Sequence, residues 1–520
     1  MGLFSGRAQT TTRQIVRPKV ILWPDGKKGG RLDISNQVSG FTYAKQLNQP
    51  VGQWSVSLLP TQGGRGPAHI GRPVDLERLV RPHGVISIGF DEPGGICIGL
   101  VDQPTSSRSL GGPSAGRQYT LHGSDFGKIL AQDHIVHASL TVESSALFLN
   151  DVAAVTGPDH ALLQALPGVW GPGSREGVPT FLGASVQDVV DWLLNAGASV
   201  NVPLLANFGG TGKPVDFIRT DGSITTWNDG RVWSEAPHSF NGSLWDFVRQ
   251  ILDEDFYELF IDSVPNRSST NLYPEIPNIF LTVRPKPFDE TDSKFLPVGE
   301  APGITWEKLK TRINRKTDHV IGEHELLTEE LGISDADVYS YYLVNSQHEL
   351  IGNPDGLAEG LFYPAVDLHA LTRAGLRAYE GRLSLVAADL VKKQEGELDY
   401  DSEIADEVVE FRNRLFNWYR LSEYYEAGSI VVAGKDEYRI GDPVMLPWRT
   451  PMRGDPPGLG VTPGTRYYCV GTQHEWNLGG PYRTTMRLMR GHNASTLSRA
   501  KAEIEEAGAP FGIPDMLAST

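Results

Sequence analysis

The 520-residue chain has little of what builds a covalent or metal-bound scaffold. Its two cysteines, Cys97 and Cys469, lie far apart and belong to no CxxC or Cys/His group. This spacing argues against a disulfide framework and against a zinc module. We predict instead that both cysteines are buried and act as small apolar residues.

Long apolar runs are also missing. No stretch approaches the ~18 uninterrupted apolar residues that a membrane-spanning helix needs. The first residues, MGLFSGRAQTTTRQ, lack the apolar segment of a signal peptide. The sequence therefore predicts a soluble, non-secreted protein with no membrane insertion.

Basic residues are also few, because the 47 Lys and Arg residues are outnumbered by 63 Asp and Glu residues and the net charge is −16. A protein that holds nucleic acid by neutralising phosphates needs the opposite balance. Composition thus argues against tight DNA binding. An acidic surface would suit a protein past which DNA moves without adhering.

Apolar material and turn residues are abundant. Hydrophobic residues make up 40% of the chain, with 11 Trp, 17 Tyr and 19 Phe, which is enough for folded cores. The 57 Gly and 35 Pro residues are spread along the sequence, as in turn-rich β structure. A chain of this length exceeds what one hydrophobic core supports, so two to four domains are expected.

Three His-Glu pairs raise the question of a metal site, and they begin at His324, His348 and His474. A zinc protease motif requires a second His four residues after the first. Those positions hold Thr328, Gly352 and Leu478. In a strand, neighbouring side chains point to opposite faces, so His474 and Glu475 cannot share one ion. We predict no metal ligand and a structural role for His474.

Other motifs that would indicate a reactive site are incomplete. The segment 207–216, NFGGTGKPVD, has Asn207 and Pro214 where a phosphate loop needs Gly and Ser or Thr. The acidic runs 253–258 and 396–407 do not define a carboxylate pair of fixed separation. No Gly-x-Ser-x-Gly elbow occurs. The sequence therefore predicts that the protein is not an enzyme and that it has neither a catalytic residue nor a cofactor site.

Periodicity predicts strands first, then a mixed region, then strands again. N-terminal strands are predicted over 19–23, 53–60, 84–90, 95–101 and 137–144, with a further β signal over 31–48 and a polar, Gly/Ser-rich loop over 102–125. Helices are predicted over 185–196, 242–256, 365–393 and 404–421, with strands over 257–261 and 278–288. Two strands are predicted between 319 and 346, and the β pattern returns over 428–434, 436–448 and 467–492.

The C-terminal segment YYCVGTQHEWNLGGPYRTTMRLMRGH, residues 467–492, predicts a long hairpin with a loop at 477–481. One face of its first strand carries Tyr468, Val470, Thr472, His474 and Trp476. One face of the returning strand carries Tyr482, Thr484, Met486 and Leu488. Such a hairpin either closes a barrel or offers an edge to another chain.

The turn at 440–442, this hairpin and its return strand YRTTMRLMRG resemble the C-terminal β domain of baseplate (tail) hub proteins of contractile-tailed bacteriophages and related contractile injection systems. The segment DADVYSYYLV and the Arg-bearing helix at 373–382 are similar to what precedes that domain in this family. The resemblance covers about 300–492 and is weaker over 1–145, where a tube-like β domain is indicated. The order of these elements carries it, since no single motif is specific.

The resemblance implies an α+β, β-rich multidomain fold in which two tail-tube-like β-barrel or sandwich domains are joined by a mixed α/β domain. The implied segments are a first tube-like domain over 1–145, a mixed α/β domain over 146–304, a second tube-like domain over 305–345 plus 405–492, a helical insertion over 346–404, and a C-terminal helix and tail over 493–520.

The same resemblance implies a structural role in the virion, at the tail baseplate assembled in the host bacterial cytoplasm. A homotrimeric ring would adapt the six-fold tail tube to a three-fold central spike and line the DNA conduit. Its implied partners are the tail tube protein, the central spike protein and the baseplate wedge and tape-measure proteins. Two alternatives stay open, a tail-associated cell-wall hydrolase and a carbohydrate-binding β protein. The type of particle also stays open.

Overall fold

The structure is a computed structural model. It describes residues 17–24, 31–59, 68–69, 72–73, 80–90, 95–109, 116–132, 134–139, 218–220, 231–233, 239–252, 254–255, 257–264, 278–285, 319–346, 365–383, 385–387, 400–449, 464–493, 500 and 502–503. The helix predicted over 185–196 and the loop at 207–216 lie outside these residues. Most of the segment after 493 also lies outside them.

The N-terminal strands are Lys19–Trp23 (β1), Leu32–Asp33 (β2), Val38–Gln46 (β3), Gln53–Leu58 (β4), Ala68–His69 (β5), Arg72–Pro73 (β6), Val85–Gly89 (β7), Cys97–Ser109 (β8) and Gly116–Asp125 (β9). The middle strands are His134–Ser139 (β10), Ile218–Thr220 (β11), Arg231–Trp233 (β12), Ser239–Ser243 (β13), Tyr257–Val264 (β14) and Asn278–Pro285 (β15).

The remaining strands are His319–Val320 (β16), Leu326–Ile333 (β17), Tyr341–Ser346 (β18), Ala365–Val366 (β19), Ala378–Leu383 (β20), Leu385–Ala387 (β21), Glu426–Ala433 (β22), Pro443–Leu446 (β23), Thr465–Asn477 (β24) and Arg483–His492 (β25). The α-helices of the described residues are Gly127–Gln132 (α1), Leu244–Ile251 (α2), Leu368–Ala374 (α3) and Tyr400–Tyr419 (α4).

One 13-stranded sheet organises the molecule, in the order β17-β22-β25-β24-β3-β4-β9-β8-β7-β1-β2, with β23 on β24 and β16 on β23. It contains two groups of strands. We call β1 to β4 with β7 to β9 the N module, and β16, β17 and β22 to β25 the C module. Each module encloses its own cluster of buried apolar side chains. The modules join where β3 pairs with β24.

The two modules have the same strand order. The N module runs β7-β8-β9-β4-β3 and the C module runs β23-β24-β25-β22-β17. In each module a two-residue strand (β2 or β16), a buried isoleucine (Ile34 or Ile321) and a 3-10 turn precede β3 or β17. The N module adds β1 between β2 and β7. The chain therefore contains one β fold twice.

The match extends to individual hydrogen bonds. The N–H of His83 donates to the Val101 carbonyl at 2.8 Å, and the N–H of Gly441 donates to the Cys469 carbonyl at 2.8 Å. Both donors have positive φ, 69° at His83 and 77° at Gly441, a conformation that costs a non-glycine residue energy. The ladder to the following strand then shifts just after Val101 and just after Cys469. Val101 and Cys469 thus occupy the same position of the repeated fold.

Most predicted strands are confirmed, and the loop predicted over 102–125 is wrong. Residues 103–109 of β8 pair with residues 116–122 of β9 in a long hairpin. The sequence looks like a loop because β7 pairs with β8 only as far as Leu100. Beyond that point β9 is the one described strand that pairs with β8, and Gln103 and Ser106 are exposed. The strand predicted at 137–144 corresponds to β10, which begins at His134 and pairs with β13, outside the main sheet, whereas residues 140–144 lie outside the described residues.

The helix predicted over 365–393 is also wrong after its first turns. Helix α3 starts at an Asp367 cap, whose side chain accepts from the N–H of Ala370, and ends before Gly375 at φ 76°. Glycine at positive φ is a usual helix stop. The chain then forms β20, which pairs in parallel with β18. The described part of the implied helical insertion thus contains strands as well as a helix.

The amphipathic helix predicted over 404–421 is confirmed as α4. Its buried side chains include Val408, Phe411, Leu415 and Trp418. Gly381 of β20 lies under this helix, because a Cβ added there would come within 2.5 Å of a Leu415 methyl group and 3.1 Å of the Phe411 ring. The helix therefore packs on the small β19-β18-β20 sheet. In the described part of the chain, no helix is both long and apolar enough to span a bilayer.

Candidate functional site: the junction of the two modules

Strand β24 forms the junction because it has two partners on the same side. Residues 465–468 pair with β23, and residues 471–477 pair with β3. The β3 ladder is antiparallel, with Gly471 opposite Gln46 and Asn477 opposite Gly40. The predicted hairpin thus offers its edge to a strand of its own chain.

Hydrogen bonds extend this ladder beyond both ends of the paired residues. The N–H of Leu47 donates to the Val470 carbonyl at 2.8 Å, and the N–H of Leu478 donates to the Ser39 carbonyl at 2.8 Å. Backbone groups alternate sides along a strand. The odd-numbered residues of β3 and the even-numbered residues of β24 therefore carry the hydrogen bonds of the junction.

The C-terminal hairpin also completes the core of the N module. Trp476 of β24 is 2% exposed and belongs to the buried cluster of the N module. Its ring lies 6.3 Å from that of Phe90, which stacks on Tyr482 of the hairpin at 4.2 Å. Phe41 of β3 lies 6.2 Å from the same tyrosine ring. The modules therefore share an aromatic core, and their contact is not a loose docking of two finished domains.

His474 lies in this junction as a neutral, structural histidine. Its Nδ1 is 2.8 Å from the Tyr482 hydroxyl and 3.2 Å from the Thr484 hydroxyl, and its ring stacks on Tyr43. Burial, with a contribution from Arg439, lowers the pKa of His474 to about 3. Among the residues that the structure describes, no three His, Cys, Asp or Glu side chains gather closely enough to hold a metal ion.

A buried ion pair lies beside the junction. Lys45 of β3 contacts Asp125 at the end of β9, and the two side chains are 4% and 6% exposed. Asp125 also accepts from the N–H of Gly127 at 2.9 Å and from the Tyr43 hydroxyl at 3.3 Å. Burial and this carboxylate raise the pKa of Tyr43. A buried charge with this many partners is costly to leave unpaired.

Polar contacts link β14, in the middle of the chain, to the C module, and the C module to the N module. Arg439 of the C module donates from Nη1 to Asp262 of β14 at 2.9 Å and from Nη2 to the Gly95 carbonyl of the N module at 2.9 Å. Burial lowers the pKa of this guanidinium. The Tyr468 hydroxyl donates to the buried Glu258 of β14. Polar contacts thus hold three parts of the chain together.

Most residues considered from sequence have ordinary places in the described structure, whereas His348 lies outside the described residues. Cys97 and Cys469 are buried free thiols, as predicted, and burial raises the pKa of both. His324 is exposed, and Glu325 pairs with Lys435 at 2.7 Å. No local pattern pointed to Lys45, Asp125 or Arg439, since their partners lie far away in sequence.

Comparison with known proteins gives structural neighbours only. No protein-family model and no curated protein matches the chain. A 43 kDa tail protein of prophage MuSo2 from Shewanella oneidensis is 10% identical and has a TM-score of 0.43, over 91% of this chain and 98% of that one. A tail protein from Neisseria meningitidis is 10% identical and has a TM-score of 0.42, over 93% of this chain and 99% of that one.

A third neighbour is an E. coli component of the type VI secretion system that is itself described as similar to two T4 bacteriophage tail proteins. It is 8% identical and has a TM-score of 0.33, over 88% of this chain and 74% of that one. All three neighbours are described as tail proteins or as similar to them. At TM-scores below 0.5, however, they do not define the domain arrangement or the activity of this chain.

Proposed function

We propose that the chain is a structural hub of a phage tail or a related injection machine. Three copies form a ring that adapts a six-fold tail tube to a three-fold central spike and lines a conduit for DNA. The observation that carries the proposal is the internal repeat, in which one β fold occurs twice and both copies share one sheet. No bond-making chemistry is part of this role.

Symmetry explains why a repeat would serve this purpose. The contact between the modules joins β3 of one to β24 of the other, so it uses two different elements of a repeated fold. Contacts between unlike surfaces form rings when their rotation closes. Three chains with two similar modules each present six similar surfaces at one end. The segments between the modules are present once per chain and give the ring its three-fold end.

The partners of the ring follow from the same proposal. The tail tube protein would contact the six-fold end and the central spike protein the three-fold end. Baseplate wedge and tape-measure proteins would bind the outer and inner surfaces. The acidic balance of −16 suits a conduit through which DNA passes without specific binding.

The alternatives are a cell-wall hydrolase and a carbohydrate-binding protein. A glycosidase needs carboxyl groups that face a water-filled cleft. In the described part of the chain, the buried Asp125 pairs with Lys45. Glu426, 0% exposed, accepts from Arg449 Nε at 3.0 Å and from the Tyr467 hydroxyl at 2.6 Å. These two carboxylates are structural, so they do not form the carboxyl pair of a glycosidase.

Native mass spectrometry and negative-stain imaging of the full chain at micromolar concentration test the proposal. We expect the mass of three chains and ring-shaped particles with a central opening. A monomer at all concentrations would contradict the hub. A monomer that also degrades peptidoglycan or binds glycan would establish one of the alternatives.

A further inference from the structure

Two strand edges remain open in the described main sheet. Strand β17 ends the sheet, and β22 is the one described strand that pairs with it. Residues 103–109 of β8 pair with β9 on one side, and no described strand pairs with them on the other. Leu327 of β17 is 50% exposed. An open edge with an exposed apolar side chain is a surface on which another strand can add.

These two edges are the repeat equivalents of the two strands that already pair inside the chain. Strand β17 holds the place in the C module that β3 holds in the N module. Residues 103–109 of β8 hold the place of residues 471–477 of β24, since Val101 is equivalent to Cys469. The chain therefore shows, in its own junction, how these two edges fit each other.

We infer that β17 of one copy adds to residues 103–109 of β8 in the next copy, in the register that β3 has on β24. This inference rests on the proposed ring and specifies its contact between copies. Ala44 lies opposite Gln473 in the observed junction. The equivalent pair between copies is Gly332 opposite Thr105 of the next copy. Each protomer then forms one junction within itself and one with its neighbour, and a ring of three closes the sheet.

The residues at these positions fit the pairing. Glu329, which contacts Arg449 in its own chain, comes opposite Arg108 of the next copy, and opposite charges stabilise a cross-strand pair. The backbone groups of the even-numbered residues of β8, including Pro104, face the added β17 strand. Because proline has no N–H group, the ladder between β17 and β8 lacks one donor at this position. Proline is tolerated in this way on strands at a sheet edge.

Engineered disulfides between copies test the register. Gly332 and Thr105 form a non-hydrogen-bonded pair, with Cα atoms about 4.5 Å apart, within the disulfide range of roughly 4.4–6.8 Å. A Cβ added at Gly332 meets no atom within 4 Å. We therefore propose the variant Gly332→Cys with Thr105→Cys, oxidised and analysed on non-reducing gels. The native cysteines are buried and give little background.

Two controls match this variant. Ala44→Cys with Gln473→Cys places the equivalent pair of cysteines within one chain. On oxidation this variant should lose its two engineered thiols and still run at the mass of one chain. Gly332→Cys with Ser107→Cys slips the register by two residues. Its diagonal pair is about 7–8 Å apart, so it should give at least tenfold less cross-linked product.

The result expected for Gly332→Cys with Thr105→Cys is covalent dimers and trimers in most of the protein. Each variant is first shown by native mass spectrometry to have the unmodified assembly mass when reduced. A reduced trimer that yields no cross-link, or that cross-links equally well in the slipped register, overturns the strand pairing but leaves the ring. A chain that is monomeric throughout overturns both.

Discussion

His474 shows how a single buried residue can make the fold sensitive to acid. Its pKa of about 3 in the folded chain lies below the value near 6.5 of a histidine in the unfolded chain. Between these values the unfolded chain takes up a proton that the folded chain refuses. This residue therefore destabilises the fold as pH falls from about 6.5 toward 3.

Replacing His474 with Gln should reduce that pH dependence. We expect the variant to lose about 1 kcal/mol at pH 7, through weaker hydrogen bonds to Tyr482 and Thr484. As pH falls, the unfolding free energy of the variant should decrease less steeply than that of the unmodified protein. The two slopes should differ by up to ~1.4 kcal/mol per pH unit, because the variant lacks the one proton that His474 takes up on unfolding. Urea unfolding between pH 7 and 5 measures this. The exposed His324→Gln is the control, and equal slopes for His474→Gln and the unmodified protein would show that the residue is not buried as described.

Trp476 tests whether the two modules share a core. Trp476→Asp would place a charge among the apolar side chains of the N module, and we expect it to prevent folding or assembly. Leu478→Asp, two residues further along the same hairpin and 42% exposed, should change stability by about 0.5 kcal/mol or less. Circular dichroism and soluble yield compare the two variants. A folded Trp476→Asp protein would contradict the shared core.

At the scale of elements, the two ion pairs Lys45–Asp125 and Arg249–Glu254 differ in burial and should differ in importance. The first pair is about one-twentieth exposed, whereas the second is 41% and 39% exposed. Lys45→Met leaves a carboxylate buried without its cation, so we expect a loss of about 3–5 kcal/mol. Arg249→Met should cost less than about 1 kcal/mol. Denaturant unfolding measures both, and similar losses would contradict the importance assigned to the buried pair.

The local sequence pattern predicted most strands, α4 and the C-terminal hairpin, because the alternation of a strand and the spacing of a helix can be seen within a short segment. It failed where an element depends on its surroundings. Residues 103–109 are mostly polar although they form a strand, because β9 is the one described strand that pairs with them. Residues after Gly375 carry apolar spacing that also suits a helix, but their pairing with β18 decides the structure.

The junction could be predicted only in part. The hairpin and its open edge were visible in the sequence, and Trp476 was visible as a bulky residue on one face of its first strand. The partner strand β3 was not, because nothing local links residues 40–46 to residues 471–477. The same holds for Lys45 and Asp125, whose pairing is fixed by the sheet order. The internal repeat, too, emerges from strand order and register rather than from a sequence motif.

For the whole molecule, the hub proposal makes a prediction about complete particles. If His474 only supports the junction, particles that assemble with His474→Ala should keep full infectivity, although their yield should fall with protein stability. Plaque counts normalised to particles seen by electron microscopy measure this. Correctly assembled particles that fail to infect would point to a direct role for the imidazole.

The shared aromatic core also sets the order in which this polypeptide can reach its native state during translation. The N module is synthesised first, but Trp476, which fills part of its interior, is encoded long after the last strand of that module. Until residues 471–477 have been synthesised, β3 lacks the strand that pairs with it in the junction. Such a nascent chain is a natural client for chaperones, and any ribosome that stops short releases a product unable to finish its first domain.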